Sequence, residues 1–146
     1  KQEQWDDVIN TDLTSVFYMT RMVVNDMLAN GYGRIINISS VNGEKGQFGQ
    51  ANYSAAKAGM HGFTKAVAQE VASKGVTVNT ISPGYIATSM IMEVPEEIRE
   101  GIRKGIPVGR FGKPEDIARV VSFLAHEDAG FITGTNVSAN GGQYMH

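Results

Sequence analysis

A chain of 146 residues, with 13 Lys and Arg set against 15 Asp and Glu, carries a formal charge of −2. No stretch gathers the basic residues into a patch, which argues against nucleic acid or an anionic membrane as the main partner. The absence of cysteine excludes disulfides, thiolate metal sites and a cysteine nucleophile. The histidines, His61, His126 and His146, lie far apart without ligand spacing, so no metal site is expected. No apolar run approaches the ~20 residues of a membrane helix, and nothing resembles a secretory signal. A cytoplasmic location is the expectation. With 42% hydrophobic and 19% charged residues, the length suits one compact α/β core rather than two domains.

From residue 4 to 29 the apolar Trp5, Val8, Ile9, Val16, Met19, Val23, Met27 and Leu28 recur every three or four positions. This spacing predicts one long amphipathic helix, stopped by Asn30-Gly31. Residues 34–39 (RIINIS) read as a buried strand. A glycine-rich loop over 42–49 follows, then a second long helix over 51–73 closed by Lys74-Gly75. Residues 76–81 (VTVNTI) read as the next strand, ended by Ser82-Pro83-Gly84. The segment 85–112 is expected to be irregular, with one helix from Pro95 to about Lys104. Its Glu96-Glu97 pair would stabilise the helix start. A helix over 114–126 and a last strand over 135–139 complete the chain.

The order helix, strand, helix, strand, helix, helix, strand predicts parallel strands with right-handed crossovers and helices on both faces. Three strands make a small sheet with open edges. Val67 and Val71 are expected away from the sheet-packing face of their helix, which would leave them for a partner subunit. The methionines at 19, 22 and 27 are read as helix packing. His61 and His126 are read as surface or interface groups.

The strongest chemical signal is Tyr53-Ser-Ala-Ala-Lys57, with Ser40 thirteen residues upstream at the end of a predicted strand. Residues i and i+4 share a helix face, so Tyr53 and Lys57 point the same way. An ammonium beside a phenol favours the phenolate, which suits acid–base chemistry. Ser40, at the carboxyl end of a strand, can reach the same substrate oxygen, and ligands of open α/β sheets bind at that end.

With NISSVNG (37–43), GQANYSAAKAG (49–59), VTVNTISPGYIAT (76–88) and the ITG…NGG ending (132–142), the chain resembles the short-chain dehydrogenase/reductase family. The resemblance implies a Rossmann-like, doubly wound parallel sheet and hydride transfer with a nicotinamide cofactor. It implies that Tyr53 donates a proton to a carbonyl oxygen, Lys57 favours the phenolate and holds the nicotinamide ribose, and Ser40 polarises the carbonyl. Pro83, Gly84, Ile86 and Thr88 resemble the loop that holds the nicotinamide end, where glycine lets the backbone approach the ring. Residues 93–104 correspond to the family's lid over the substrate. A homotetramer is implied as well.

Two departures stand out. Where the family has asparagine in a motif like TNLTSVF, this chain has Asp12, which would add negative charge near Lys57. The family's glycine-rich phosphate loop and Asn-Ala-Gly strand have no counterpart. At ~30 residues per βα unit, the expectation is that amino-terminal βαβ units of about 90–100 residues are missing. Residues 1–146 would then be the carboxy-terminal catalytic part of a single domain, with little or no turnover in isolation; an inactive fragment self-associating through its open sheet edge is the alternative.

Within the family, the loop Gly43-Glu-Lys-Gly-Gln47-Phe48-Gly-Gln50 is most similar to that of acetoacetyl-CoA reductases. The 3-oxoacyl-carrier-protein reductases are the next resemblance. By it, Gln47, Phe48, Gln50 and Tyr85 would line an acyl and pantetheine site, Phe48 as an apolar wall and the glutamines as donors. The implied reaction is reduction of a 3-oxoacyl-CoA thioester to the (R)-3-hydroxyacyl-CoA with NADPH, NADH not being excluded by the residues present.

Overall fold

The computed structural model describes residues 1–145. The long amino-terminal helix is real but interrupted. Helix α1 (Gln2–Ile9) runs through a π-helical turn (Asn10–Thr14) into α2 (Ser15–Asn30) without leaving the helical path. Hydroxyls mark the turn: Ser15 Oγ donates to the Thr11 carbonyl and Thr14 Oγ1 to Asn10 Oδ1. Such back-bonding competes with the backbone ladder and bends helices. The extra residue in the turn changes the phase of everything after it. Met19 and Val23, expected on one buried face, are consequently 67% and 37% exposed; Trp5, ahead of the turn, is 42% exposed as well. Gly31, in the left-handed region, ends α2 as the sequence predicts.

Strands β1 (Gly33–Ile38), β2 (Val76–Pro83) and β3 (Asn136–Ala139) form a parallel sheet in that order. Central β2 is buried along almost its whole length, as a parallel strand covered on both faces must be. The segment that leads into β3 bonds the side chains of Asn79 and Thr80, whereas buried Thr77 Oγ1 has no partner among the described residues. Asn79 Nδ2 donates to the Ile132 carbonyl, Thr135 N–H donates to Asn79 Oδ1, and Thr133 Oγ1 accepts from Val78 N–H.

On one face, Ile35, Val76 and Val78 pack against Ala68 and Val71 of α4 (Ala51–Val71), with Val24, Met27, Leu28 and Val67 at the margin. The buried positions of α4, namely Ala56, Met60, Thr64, Ala68 and Val71, form one stripe at three- and four-residue spacing. Val71 therefore belongs to the core, and Val67 packs at its margin; the expectation that both face outward is corrected.

The opposite face is taken by α7 (Pro114–Ala125), which lies across all three strands. Arg34 shows the sidedness, because it alternates with Ile35 on β1. Its guanidinium bonds the His126 and Glu127 carbonyls just past α7 and stacks over Tyr32. Both crossovers step the sheet in the same direction, yet α4 and α7 sit on opposite faces. The two connections thus have opposite hands, and the expectation of right-handed crossovers throughout fails for one of them. The β2–β3 connection has room for this, since its chain makes a long excursion before α7 begins.

That excursion holds two helices where one was expected: α5 (Ser89–Met92) and α6 (Glu96–Lys104). Pro95 caps α6 instead of opening its first turn, and Glu96 and Glu97 do sit at its start. Residues 42–49, expected to be all loop, include a short helix, α3 (Val41–Lys45). Among the described residues no helix is long and apolar enough to cross a membrane.

Candidate active site

Three elements bring the chemistry to the carboxyl end of the sheet. Ser40 follows β1 and caps α3, its Oγ accepting from Asn42 N–H at 3.1 Å. Tyr53 and Lys57 lie one turn apart on α4, and the ammonium stands 5.5 Å from the centroid of the Tyr53 ring. The Tyr53 hydroxyl makes no hydrogen bond to any described residue, so it is available to a ligand.

Lys57 is held from two sides. Its Nζ donates to the Ile38 carbonyl at 3.1 Å and pairs with Asp12 Oδ1 at 3.4 Å. The lysine side chain is 12% exposed and the aspartate 27%, so the pair is only partly screened by water. An ammonium has three donors. Two are engaged here, and one is left for a ligand. The π-helical turn is what delivers Asp12, since it packs directly against α4.

Ser40 and Tyr53 share a cavity of about 550 Å³ with Asn42, Gln50, Gly84, Tyr85, Ile86, Thr88 and, from α5, Met90 and Ile91. Its size suits a small-molecule ligand. Asn42 is 91% buried: its Nδ2 donates to Gln50 Oε1 at 3.0 Å, while its Oδ1 has no partner. The cavity's mixed wall, polar at Ser40, Tyr53 and Thr88 and apolar at Ile86 and Ile91, would admit the ring and carboxamide end of a nicotinamide.

The remaining sequence-predicted residues fall into place unevenly. Pro83 ends β2 opposite Ala139, and Gly84 N–H bonds the Ala139 carbonyl. A Cβ on Gly84 would lie 2.8 Å from Asn140 Cα, so this glycine admits the chain beyond β3 as well as leaving its backbone open to a ligand. Ile86 bridges to Gly112, and Thr88 caps α5. Gln50 and Tyr85 face the cavity, whereas Gln47 and Phe48 are not among its lining residues. Gln47 Oε1 accepts from Lys45 Nζ, and the Phe48 ring is fully exposed on its loop.

His61 departs from the surface reading. It lies half-buried between Ser39 and Ser82, and burial pushes it below the ordinary histidine value; Glu44 opposes this and Lys65 adds to it. His126 is exposed beside Asp128, and His146 lies outside the described residues. Among the described residues no group of three or more His, Cys, Asp or Glu could hold a metal ion. Sequence reasoning also missed Asn42. Its only signal was its place two residues after Ser40.

A family model described as enoyl-(acyl carrier protein) reductase matches residues 1–144, almost the whole chain. The chain belongs to the short-chain dehydrogenase/reductase family. This family member is 59% identical to an acetoacetyl-CoA reductase of Allochromatium vinosum over 100% of its own length and 59% of that protein's. It is 58% identical to the acetoacetyl-CoA reductase of Cupriavidus necator, over 97% of this chain and 57% of the relative. Against the 3-oxoacyl-acyl-carrier-protein reductase of Pseudomonas aeruginosa identity is 50%, over 99% of this chain and 59% of the relative. The dehydrogenase/reductase chain thus spans less than two thirds of the length of these relatives.

Proposed function

We propose that the protein reduces acetoacetyl-CoA and related 3-oxoacyl-CoA thioesters to (R)-3-hydroxyacyl-CoA, with NADPH as reductant. The observation that carries this reading is the shared cavity of Ser40 and Tyr53, with Lys57 beside the Tyr53 ring. When bound, the nicotinamide cofactor supplies the hydride. Tyr53, Lys57, Pro83, Gly84, Ile86 and Thr88 would hold its nicotinamide and ribose end.

The chain's own residues handle the proton and the orientation. Ser40 Oγ–H donates to the substrate carbonyl oxygen while its lone pair holds the Asn42 N–H, which fixes the hydroxyl's direction. Tyr53 transfers its phenolic proton to the same oxygen as negative charge develops there. The Lys57 ammonium steadies the phenolate left behind, and its free N–H serves the cofactor ribose. Gln50 and Tyr85 would face the acyl group, with Gln47 and Phe48 on the exposed loop taking the pantetheine arm. Similarity to the acetoacetyl-CoA reductases, at 58–59% identity, supports CoA over a carrier-protein thioester.

Association as a homotetramer is part of the proposal; the exposed Phe17, Tyr18, Met19 and Met22 of α2 support it. Side-by-side rates of the full-length protein on acetoacetyl-CoA and on acetoacetyl-acyl-carrier protein test the substrate. Higher kcat/KM on the CoA thioester is expected, and a preference for the carrier protein would reverse the assignment.

Asp12 places a carboxylate where the chemistry wants the full charge of Lys57 directed at Tyr53. Replacing Asp12 by Asn keeps an oxygen acceptor but removes the charge. Asp12→Asn is expected to turn over faster at neutral pH, by roughly threefold to tenfold, with its pH–rate profile displaced to lower pH. Superimposable profiles for the two proteins would show that Asp12 does not modulate the site.

A further inference from the structure

A line of buried and half-buried side chains runs behind the site without being among the lining residues of its cavity. It starts at His61 on α4, whose Nε2 lies 2.7 Å from Ser39 Oγ and 3.3 Å from Ser82 Oγ. The hydroxyl protons are already committed. Ser39 Oγ donates to the Lys57 carbonyl at 3.0 Å, and Ser82 Oγ donates to Asn136 Oδ1 at 2.9 Å. Each hydroxyl can therefore only accept from the imidazole. Nε2 must carry the ring proton and share it between the two serines. From Ser82 the line continues: Asn136 Nδ2 donates to Glu44 Oε1 at 2.9 Å, and Ser138 Oγ donates to the same oxygen.

Apart from the shared Nε2–H, each donor in this line points to a single acceptor, and the line runs without a break from α4 across β1, β2 and β3 to α3. Its members are neighbours of the chemistry. Ser39 precedes Ser40, the bonded carbonyl belongs to Lys57, Ser82 precedes Pro83-Gly84, and Glu44 stands on the helix that Ser40 caps. Ser39 is 4% exposed and Ser82 fully buried, so water does not replace a lost partner there.

We infer that His61 and Glu44 are positioning residues for this site, acting through Ser39, Ser82, Asn136 and Ser138 to fix where Ser40 and Lys57 stand. His61 locks the middle of α4 to the ends of β1 and β2. Glu44 locks α3, and with it the loop that begins at Gly46, to β3. Neither touches substrate. The kinetic part of the test rests on the reductase reading, whereas the tautomer does not.

The test uses the full-length protein. Nitrogen-15 NMR of the imidazoles, without substrate, is expected to show His61 protonated at Nε2 and bare at Nδ1. His61→Leu is expected to lower kcat for acetoacetyl-CoA about tenfold with KM within about twofold, since misplaced groups cost turnover more than binding. His61→Gln, whose amide N–H can take the place of Nε2–H, is expected to recover most of that loss. Glu44→Ala should lower kcat, and the double variant His61→Leu/Glu44→Ala should lose less than the product of the single losses, because both break one line. An Nδ1-protonated ring overturns the inference. So does a His61→Leu protein with lowered thermal stability but unchanged kcat. If the wild-type protein does not turn over acetoacetyl-CoA, the functional reading fails, and the tautomer alone decides this one.

Discussion

Replacing Tyr53 by Phe is expected to lower kcat by about three orders of magnitude while leaving the fold and cofactor affinity nearly unchanged. The size follows from the role: a positioned proton donor typically contributes about 10²–10⁴-fold. Selectivity follows from the surroundings. The hydroxyl bonds no described residue, so removing it leaves no stranded partner in the protein, and the ring that neighbours Lys57 is retained. Circular dichroism and urea unfolding should match the wild type, and NADPH titration by fluorescence should give a Kd within a few-fold. A variant that retains more than about a tenth of its turnover would mean the proton reaches the carbonyl oxygen from elsewhere, Ser40 being one alternative on the cavity wall.

Gly43→Ala is expected to be the most damaging single-methyl change near the site. A Cβ there would lie 2.8 Å from both the carbonyl carbon and the Cβ of Lys57, and 3.0 Å from the Ala58 nitrogen. Two of these three atoms are α4 backbone, which cannot swing aside as a side-chain tip would. Helix α3 must lift from α4 or α4 must yield. Overpacking of this kind costs about 1–3 kcal/mol, which urea unfolding would read directly. The kinetic loss should be larger than that stability change suggests. Lifting α3 pulls Ser40, which caps it, away from Tyr53, and a displacement of 1 Å can cost about 10²-fold. Near-normal kcat/KM in a destabilised Gly43→Ala protein would show that α3 moves without taking Ser40 along.

Much of this was legible in the sequence, for identifiable reasons. The stripe Ala56, Met60, Thr64, Ala68 on α4 is a plain helical repeat, and the same geometry sets Tyr53 and Lys57 one turn apart. The β2 run VTVNTIS reads as a buried strand because both of its faces are covered. What escaped depends on terms that periodicity does not contain. A π-helical turn adds one residue to a continuing helix, and the apolar residues on either side still recur at three or four. Helix α3, sequence VNGEK, is too short to show a period and contains a glycine. The hand of a crossover depends on which face a helix chooses. The line from His61 to Glu44 joins residues scattered along the chain, and no spacing rule gathers a histidine on α4, a glutamate on α3 and an asparagine on β3. Gln47 and Phe48 were read from their loop, and the loop carries them outside the lining of the cavity.

The register of the sheet also bears on how quickly the molecule can assemble. Every strand pairing is parallel, and each joins residues roughly forty or more positions apart, Gly33 with Val76 and Thr80 with Asn136. Among the described residues no hairpin is available to start the sheet, so a long stretch of chain must be ordered before the first strand-to-strand bond forms. Helix α4, which needs only local contacts, is placed to form early and carry β2 back onto β1. Refolding should therefore be slow for the size of the chain, with helical circular dichroism recovering ahead of the burial of Val76 and Val78.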